Sequence, residues 1–246
     1  MTKSATTLED VVKSLNIKKP VGQFVCKYCN KGFARESSLA VHMCEKKKRH
    51  QDKNEPGIRL AFRTFTRFYE TTQTATKPRT FDDFVDSPYY TAFAKFGRYM
   101  VAVNAINPPA FIEWILKSQK KIDRWASDRV YEEYLAYYIV HENVSDALER
   151  GITHAMSWAE ANNSQVGDYF RYASPNSICQ SISTGKISPW ILYSSTQGQA
   201  FLDTKLNADQ IKLIWPVINP DVWAPRINKH RDDWEFAKQM LAGVGW

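Results

Sequence analysis

The chain has 246 residues, of which 43% are hydrophobic and 13% aromatic, and its formal net charge is +7. This composition supplies a folded core and excludes a chain that is disordered throughout. No apolar run approaches the roughly 18 residues of a membrane-spanning helix, and the first residues, Met-Thr-Lys-Ser-Ala-Thr-Thr, lack the apolar stretch of a secretory signal. We therefore expect a soluble, intracellular protein without a membrane partner.

The first predicted element is a short amphipathic helix at about residues 7 to 16. Thr6 and Glu9 form the pattern of a capping box. An apolar face at helical spacing follows, made of Leu8, Val11, Val12 and Leu15. The sequence Lys-Lys-Pro-Val-Gly then ends the helix, so residues 1 to 22 are predicted to be a short helix and a basic linker.

The next stretch has the ligand spacing of a metal site. Cys26 and Cys29 are separated by two residues, and twelve residues separate Cys29 from His42. Thiolates and an imidazole at these distances are typical of a tetrahedral structural zinc site. The apolar residues available to pack around it are Phe24, Phe33 and Leu39. Because so small a core stabilises little, the metal should supply most of the folding free energy, roughly 10 kcal/mol or more.

Residues 23 to 50 resemble a C2H2-type zinc finger, which implies a hairpin that carries the cysteines and a helix that carries His42. The sequence departs from that family where its second histidine is expected, because lysines occupy residues 46 to 48. The remaining candidates for the fourth ligand are Cys44 and His50. Along an unbroken helix Cys44 would point away from His42, and His50 would lie about 12 Å further on.

Either fourth ligand therefore requires the helix to loosen just after His42. We favour Cys44, because thiolate is a strong zinc ligand and only a local distortion is needed. His50 is the alternative, and three protein ligands with water, or a finger that has lost its metal, are also left open. A zinc ion here is interpreted as structural, since a module of about 30 residues has too little bulk for a catalytic pocket.

The cationic excess is confined to one part of the chain. Between Lys18 and Arg67 there are thirteen Lys and Arg against four acids, a charge of +9, whereas residues 68 to 246 carry −2. Such a partition indicates an element that binds a polyanion, attached to a nearly neutral body. The candidate phosphate contacts are Lys46, Lys47, Lys48 and Arg49, with Arg59 and Arg63 on a helical stripe beyond them.

The resemblance to the finger family also implies which residues face a nucleic-acid groove, namely Arg35, Ser37, Ser38 and Val41. An arginine at such a position suits a bidentate contact with guanine, whereas serine and valine discriminate bases poorly. The alternative is that the module binds protein and that its lysines are only a solvated surface.

A charged stretch ending in Pro56-Gly57 predicts a linker at residues 51 to 57, followed by an all-α domain over residues 58 to 246. Its predicted helix starts carry a side-chain oxygen at the cap, often before a proline. Those caps are Thr80, Ser87, Asn107, Ser145, Ser174, Ser188 and Asn207. The predicted helices cover about residues 89–103, 109–117, 122–141, 146–161, 175–184, 208–214 and 226–241. The fold class is thus mostly α, with an N-terminal ββα finger and about eight to ten further helices.

The combination of a finger with a compact helical chain resembles uncharacterised tailed-bacteriophage proteins, although no particular residue of the helical part carries that likeness. The chain has no glycine-rich phosphate loop and no glycine-flanked serine nucleophile, and the acids near His141 and Glu142 are interpreted as surface charges. We therefore predict no catalytic residues and no small-molecule substrate. The leading hypothesis is a non-enzymatic accessory protein that binds DNA or RNA, while its helical domain docks on a partner complex of replication or transcription. The alternative is a protein–protein interaction adaptor.

Overall fold

The computed structural model describes residues 22–72 and 77–246, and the structural statements that follow concern this part of the chain. The chain divides into two compact units, an N-terminal unit that ends at Arg98 and a C-terminal unit from Tyr99 to Trp246. The predicted helix at residues 7 to 16, and the linker that follows it up to residue 21, lie outside the described residues.

The N-terminal unit begins with a β-hairpin. Strand β1 (Phe24–Val25) pairs antiparallel with strand β2 (Gly32–Phe33), and Phe24 lies opposite Phe33. These strands form the one sheet within the described ranges. Two short helices follow, α1 (Glu36–Ala40) and α2 (Glu45–Gln51).

Three more helices complete the N-terminal unit: α3 (Pro56–Thr72), α4 (Phe81–Val85) and α5 (Tyr90–Ala102), whose last turn continues into the C-terminal unit. One side of α3 is fully buried at Ile58 and Ala61. Aromatic rings form the core between these helices, with centroid distances of 5.2 Å for Phe65–Phe84 and 5.6 Å for Phe65–Phe93. Aromatic residues spaced along α3 thus become the core of this unit, as their helical periodicity indicates.

The sequence predicts a linker at residues 51 to 57, and the structure has regular elements there. A 3₁₀ turn covers Asp52–Asn54 and Pro56 is the first residue of α3. Arg98 forms ion pairs with Asp52 at 3.4 Å and with Glu55 at 2.7 Å, and the pair with Arg98 holds the pKa of Glu55 below its ordinary value. The Pro-Gly dipeptide therefore begins a helix, because proline at a first helical position loses no hydrogen bond.

The glycines of α3 and α5 let the two helix backbones touch. A Cβ on Gly97 would lie 2.0 Å from the carbonyl oxygen of Gly57, and a Cβ on Gly57 would lie 2.8 Å from the Cα of Arg98. Backbone atoms cannot move aside as a flexible side chain can, so both positions require the absence of a side chain. Gly57 is a packing residue for this reason.

The C-terminal unit consists of helices joined by short loops, and its described residues contain no strand. Its first helices are α6 (Pro108–Lys117), α7 (Asp128–His141), α8 (Val144–Asn162), α9 (Tyr169–Tyr172) and α10 (Pro175–Ser183). The remaining helices are α11 (Pro189–Ser194), α12 (Thr196–Thr204), α13 (Ala208–Ile218), α14 (Pro220–Lys229) and α15 (Arg231–Gly243). The mostly α fold class with a small N-terminal sheet is confirmed, and no described helix has both the length and the apolar character to cross a bilayer.

Most of the predicted helix caps are present. The side chains of five of the seven accept a hydrogen bond from the first turn, at Thr80, Asn107, Ser174, Ser188 and Asn207. Ser87 Oγ also accepts a hydrogen bond, from the Tyr89 N–H at 3.1 Å, although the helix begins one residue later than predicted, at Tyr90. The prediction for Ser145 is wrong, because Asn143 caps α8.

Helix number and boundaries differ more from the prediction. Thirteen helices begin at or after Pro56 among the described residues, more than the eight to ten expected, because several are only four to six residues long. The predicted helix at 122–141 begins at Asp128, after a 3₁₀ turn. The predicted helix at 226–241 is divided at His230 between α14 and α15.

The interpretation of Glu142 as a surface charge is wrong. Its residue is 4% exposed, and its carboxylate pairs with Arg150 at 2.7 Å and accepts a hydrogen bond from Ser188 at 2.8 Å. Burial raises the pKa of Glu142, although the Arg150 charge opposes that shift. A buried carboxylate requires such partners, because an unpaired buried charge lowers the free energy of unfolding by about 3 to 5 kcal/mol. This pair belongs to the core of the C-terminal unit.

The glycine contact between α3 and α5 gives a stability prediction. We expect Gly97→Ala to lower the free energy of unfolding by about 1 to 3 kcal/mol, since the added methyl overpacks against the backbone of Gly57. The matched control is Gly243→Ala, where an added Cβ meets nothing within 4 Å. Thermal unfolding followed by circular dichroism measures both, and equal midpoints for the two variants would contradict the helix contact.

Candidate metal centre

Backbone hydrogen bonds fix the loop that carries Cys26 and Cys29. The N–H of Cys26 donates to Lys31 O at 2.9 Å, and the N–H of Asn30 donates to Cys26 O at 2.8 Å. Asn30 has a φ of 57°, in the left-handed region where asparagine is among the best tolerated residues. The hairpin thus folds back tightly enough to bring both thiols to one side of the loop.

The helix that approaches the loop ends before His42. Helix α1 has Ala40 as its last residue, and the N–H of His42 donates to Leu39 O at 3.1 Å in a tightened final turn. The chain is then extended at Cys44, with φ −93° and ψ 163°, and Cys44 is the N-cap of α2. The helix therefore ends before His42, earlier than the predicted loosening just after it, and two separate helices replace the single one that the family pattern implies.

Four side chains meet at this place, those of Cys26, Cys29, His42 and Cys44, which we call the Cys₃His cluster. Their ligand atoms all lie within 4.8 Å of one another. Cys26 Sγ is 3.9 Å from Cys44 Sγ, and Cys29 Sγ is 3.3 Å from His42 Nε2. A tetrahedral ion with ordinary zinc bond lengths gives edges of about 3.8 Å between sulfurs and about 3.5 Å between sulfur and nitrogen. The cluster could therefore hold a metal ion.

The electrostatics of the thiols favour a cation. A hydrogen bond from the Cys29 N–H lowers the pKa of the Cys26 thiol from its ordinary value. A hydrogen bond from the Lys31 N–H also lowers the pKa of Cys29, but burial and the neighbouring thiols of Cys44 and Cys26 together raise it. Close thiolates repel one another, and a divalent ion between them removes that repulsion and takes the deprotonated form as ligand.

His50, the alternative fourth ligand, lies outside the cluster. Its ring packs against Tyr28 at a centroid distance of 4.9 Å and against Phe81 at 5.8 Å. Its Nε2 lies 3.7 Å from the carboxylate of Asp82. His50 therefore packs between the cysteine-bearing loop and the start of α4.

The basic run on α2 is largely engaged within the N-terminal unit. Lys46 pairs with Asp86 at 2.6 Å, and Lys47 Nζ donates to His42 O at 3.0 Å. Arg49 donates to Val85 O at 2.7 Å, and its guanidinium lies 4.3 Å from the ring centroid of Tyr90. Of these four cations only Lys48 is classed as exposed, and it has no side-chain partner among the described residues. Helix α2 is thereby docked on the helices that follow it.

The other predicted contact residues are exposed. Arg35 is the residue before α1, Ser37 and Ser38 lie on α1, and Val41 is 82% exposed at its end. On α3, exposed cations lie four residues apart at Arg59 and Arg63. Neither guanidinium has an ion pair or hydrogen bond within the described ranges.

Sequence reasoning missed the surface beside the cluster. Tyr28 and Lys27 lie between the two cysteines and border a groove, and Met43 is 55% exposed next to Val41. The sequence does show a lysine and a tyrosine between Cys26 and Cys29, but an analysis of the ligand spacing counts these two residues without considering their side chains.

Comparisons with family models, curated proteins and solved structures give no match to this chain.

The cluster predicts which variants lose metal. Titration with Co²⁺, whose thiolate charge-transfer absorption reports sulfur ligands, should show saturable binding to the wild-type chain. Cys44→Ser should weaken that binding by at least about tenfold, while His50→Gln should retain it. Weakening by His50→Gln with retention by Cys44→Ser would contradict the ligand set. Affinity should fall as the pH is lowered, because protons compete for the thiolates.

Proposed function

We propose that this chain is a nucleic-acid-binding accessory protein whose N-terminal unit is stabilised by zinc. The observation that carries the proposal is the division of charge between the units. Residues 1–98 hold nineteen Lys and Arg against ten acids, and residues 99–246 hold fourteen against sixteen. One unit is thus at +9 and the other at −2, which is the electrostatic pattern of a polyanion-binding element on a neutral carrier.

Zinc is the metal that suits three thiolates and an imidazole best. Soft sulfur ligands in a compact tetrahedral arrangement select zinc or an iron–sulfur cluster, and a histidine at a single-ion distance favours zinc. The hairpin, the short helix α1 and the spacing up to His42 support a likeness to C2H2-type fingers, with Cys44 in place of the second histidine. In this role zinc would hold β1, β2 and α1 together.

Metal analysis tests the identity of the ion. Protein purified without chelator should contain one zinc per chain, because the four side chains form one site. Less than half an equivalent of zinc, or stoichiometric iron with sulfide, would contradict the proposal.

The cations that remain available decide where nucleic acid would bind. Arg35, Lys48, Arg59 and Arg63 are exposed and have no partner among the described residues. The Arg49 side chain is only 20% exposed, and its guanidinium donates a hydrogen bond to Val85 O. We therefore assign Arg49 a role in the fold and not in phosphate binding. We propose that the exposed cations supply the phosphate contacts, and that Lys46 and Lys47 add charge without leaving their partners. Such contacts position a backbone and carry little sequence information.

The C-terminal unit is proposed to dock on a protein partner, such as a complex of replication or transcription. Large apolar side chains are exposed on its last helices, including Trp215 at 46%, Phe236 at 40% and Met240 at 47%. Large apolar side chains that remain exposed are candidates for contact with a protein partner.

A second candidate function is an adaptor whose N-terminal unit binds protein. Val41 at 82% and Met43 at 55% exposed support it, because apolar side chains beside the cluster suit a protein surface. The adaptor predicts that the exposed cations are dispensable for binding.

The two functions are separated by the salt dependence of binding. Changing Lys48, Arg59 and Arg63 to Ser should weaken binding to all nucleic acids alike and reduce the log–log salt slope by up to about three, roughly one per phosphate contact. Fluorescence anisotropy of labelled DNA and RNA across a salt series measures this.

The matched control changes three exposed cations of the C-terminal unit, Lys117, Lys121 and Lys212, to Ser. The control removes the same charge and should leave the slope unchanged. Equal effects of the two triple variants would show that only net charge matters, and no effect of either would favour the adaptor.

A further inference from the structure

A groove of about 410 Å³ lies beside the Cys₃His cluster in the N-terminal unit. It is bordered by two members of the cluster and by two apolar side chains, an aromatic ring and two amines, those of Val25, Leu39, Tyr28, Lys27 and Lys47. Its volume is in the range of sites that hold a ligand the size of a nucleotide. Apolar walls with amines at the rim match a flat ring attached to an anionic group.

The ring of Tyr28 is held in place on the protein side. It packs against His50 at a centroid distance of 4.9 Å, and His50 is in turn supported by Phe81. The ammonium of Lys27 lies 5.0 Å from the centroid of the Tyr28 ring. An exposed cation–π contact is weaker than stacking of a nucleobase on an aromatic ring, so a base can displace this ammonium. Lys27 is exposed and its amine is then free to contact the phosphate of the same nucleotide.

The charge of the segment that forms the groove is mostly positive. Lys31, Arg35 and Lys48 are exposed close to it in the sequence, in addition to the two lysines on its rim. The acids of the segment from residue 24 to residue 48 are only Glu36 and Glu45. A strand of nucleic acid that enters the groove therefore meets cations along its backbone and a Tyr28 ring on which a base can stack.

The form of the nucleic acid follows from the length of α1. This helix has five residues, about 7.5 Å, and the chain turns away at Val41 before α2 begins. So short a helix presents little of the continuous face with which a recognition helix reads a major groove. A groove that accepts one flat ring instead suits an unstacked base, and bases are unstacked in single strands and buried in duplexes.

We propose that the groove bordered by Tyr28 and Lys27 binds a nucleobase of single-stranded nucleic acid, with the base stacked on Tyr28 and the adjoining phosphate on Lys27, while Lys47 adds positive charge at the rim. The inference rests on the proposed nucleic-acid binding and adds the form of the substrate and the residue that accepts the base. Stacking of this kind is tolerant of sequence, because every base has an aromatic face.

The test compares strands and duplexes on the full-length, zinc-loaded protein. Labelled single strands of DNA and RNA of about 12 nucleotides, and the corresponding duplexes, are titrated by fluorescence anisotropy. Single strands should bind more tightly than duplexes of the same sequence. Tyr28→Ala should weaken single-strand binding by about fivefold or more and leave duplex binding unchanged, and Tyr28→Phe should bind as wild type.

A charge control accompanies these variants. Lys27→Ser should reduce the salt slope by about one, whereas Lys95→Ser, which removes an exposed lysine of α5, should not change it. A second measurement needs no variant protein. A single strand containing 5-iodouracil is cross-linked to the wild-type protein, and the cross-linked peptide is identified by mass spectrometry. The cross-link should lie on the peptide that contains Tyr28.

The outcomes separate the two levels of the proposal. Duplex binding as tight as single-strand binding, or cross-links only outside the residues from Val25 to Lys47, would overturn the single-strand inference and leave nucleic-acid binding standing. The single-strand inference would also be overturned if the Tyr28→Ala protein, with its zinc bound, had the wild-type affinity for single strands. A protein that binds none of the four probes would overturn both.

Discussion

Cys44 has two structural roles, and the N-terminal unit depends on their combination. Its sulfur lies 3.9 Å from Cys26 Sγ in the Cys₃His cluster, and the same sulfur accepts a hydrogen bond from the Lys47 N–H at 3.4 Å as the N-cap of α2. Negative charge at a helix N-terminus is favourable, so a metal-bound thiolate stabilises the helix while the helix stabilises the thiolate. The cluster and α2 are therefore expected to form together.

The consequence extends to the rest of the unit because α2 is docked. Lys46, Arg49 and His50 contact the segment from Phe81 to Tyr90, and Arg98 closes the turn between α2 and α3 through Glu55. The ion pair of Lys46 is exposed and contributes little by itself, whereas Arg49 combines a backbone hydrogen bond with a contact to the Tyr90 ring. The cluster is thus one side of a larger folded unit. Most cations of α2 hold this helix against the helices that follow it, and the exposed cations that have no partner are available to a ligand.

The sequence was most informative where chemistry or periodicity is local. Two cysteines, one histidine and the apolar residues around them predict a hairpin with a Cys/His cluster, and caps such as Thr80 and Asn207 mark helix starts because one side-chain oxygen satisfies the first turn. It was least informative where distant residues decide. Pro56-Gly57 has the composition of a linker, and only the close approach of the backbone at Gly97 and Arg98 shows why a glycine follows Pro56 in the first turn of α3. Glu142 has the composition of a surface acid, and only Arg150 and Ser188 explain its burial. The roles of Arg49 and Tyr28 likewise depend on partners far along the chain.

The measurement that tests this account most directly is amide hydrogen exchange of the full-length protein with the proposed metal ion bound and after chelation. If Cys44 joins the metal to α2, chelation should accelerate exchange in β1, α1 and α2, including the Lys48 N–H that donates to Cys44 O, while the helices of the C-terminal unit keep their protection. Unchanged protection of α2 in protein shown to have lost its metal would contradict the account.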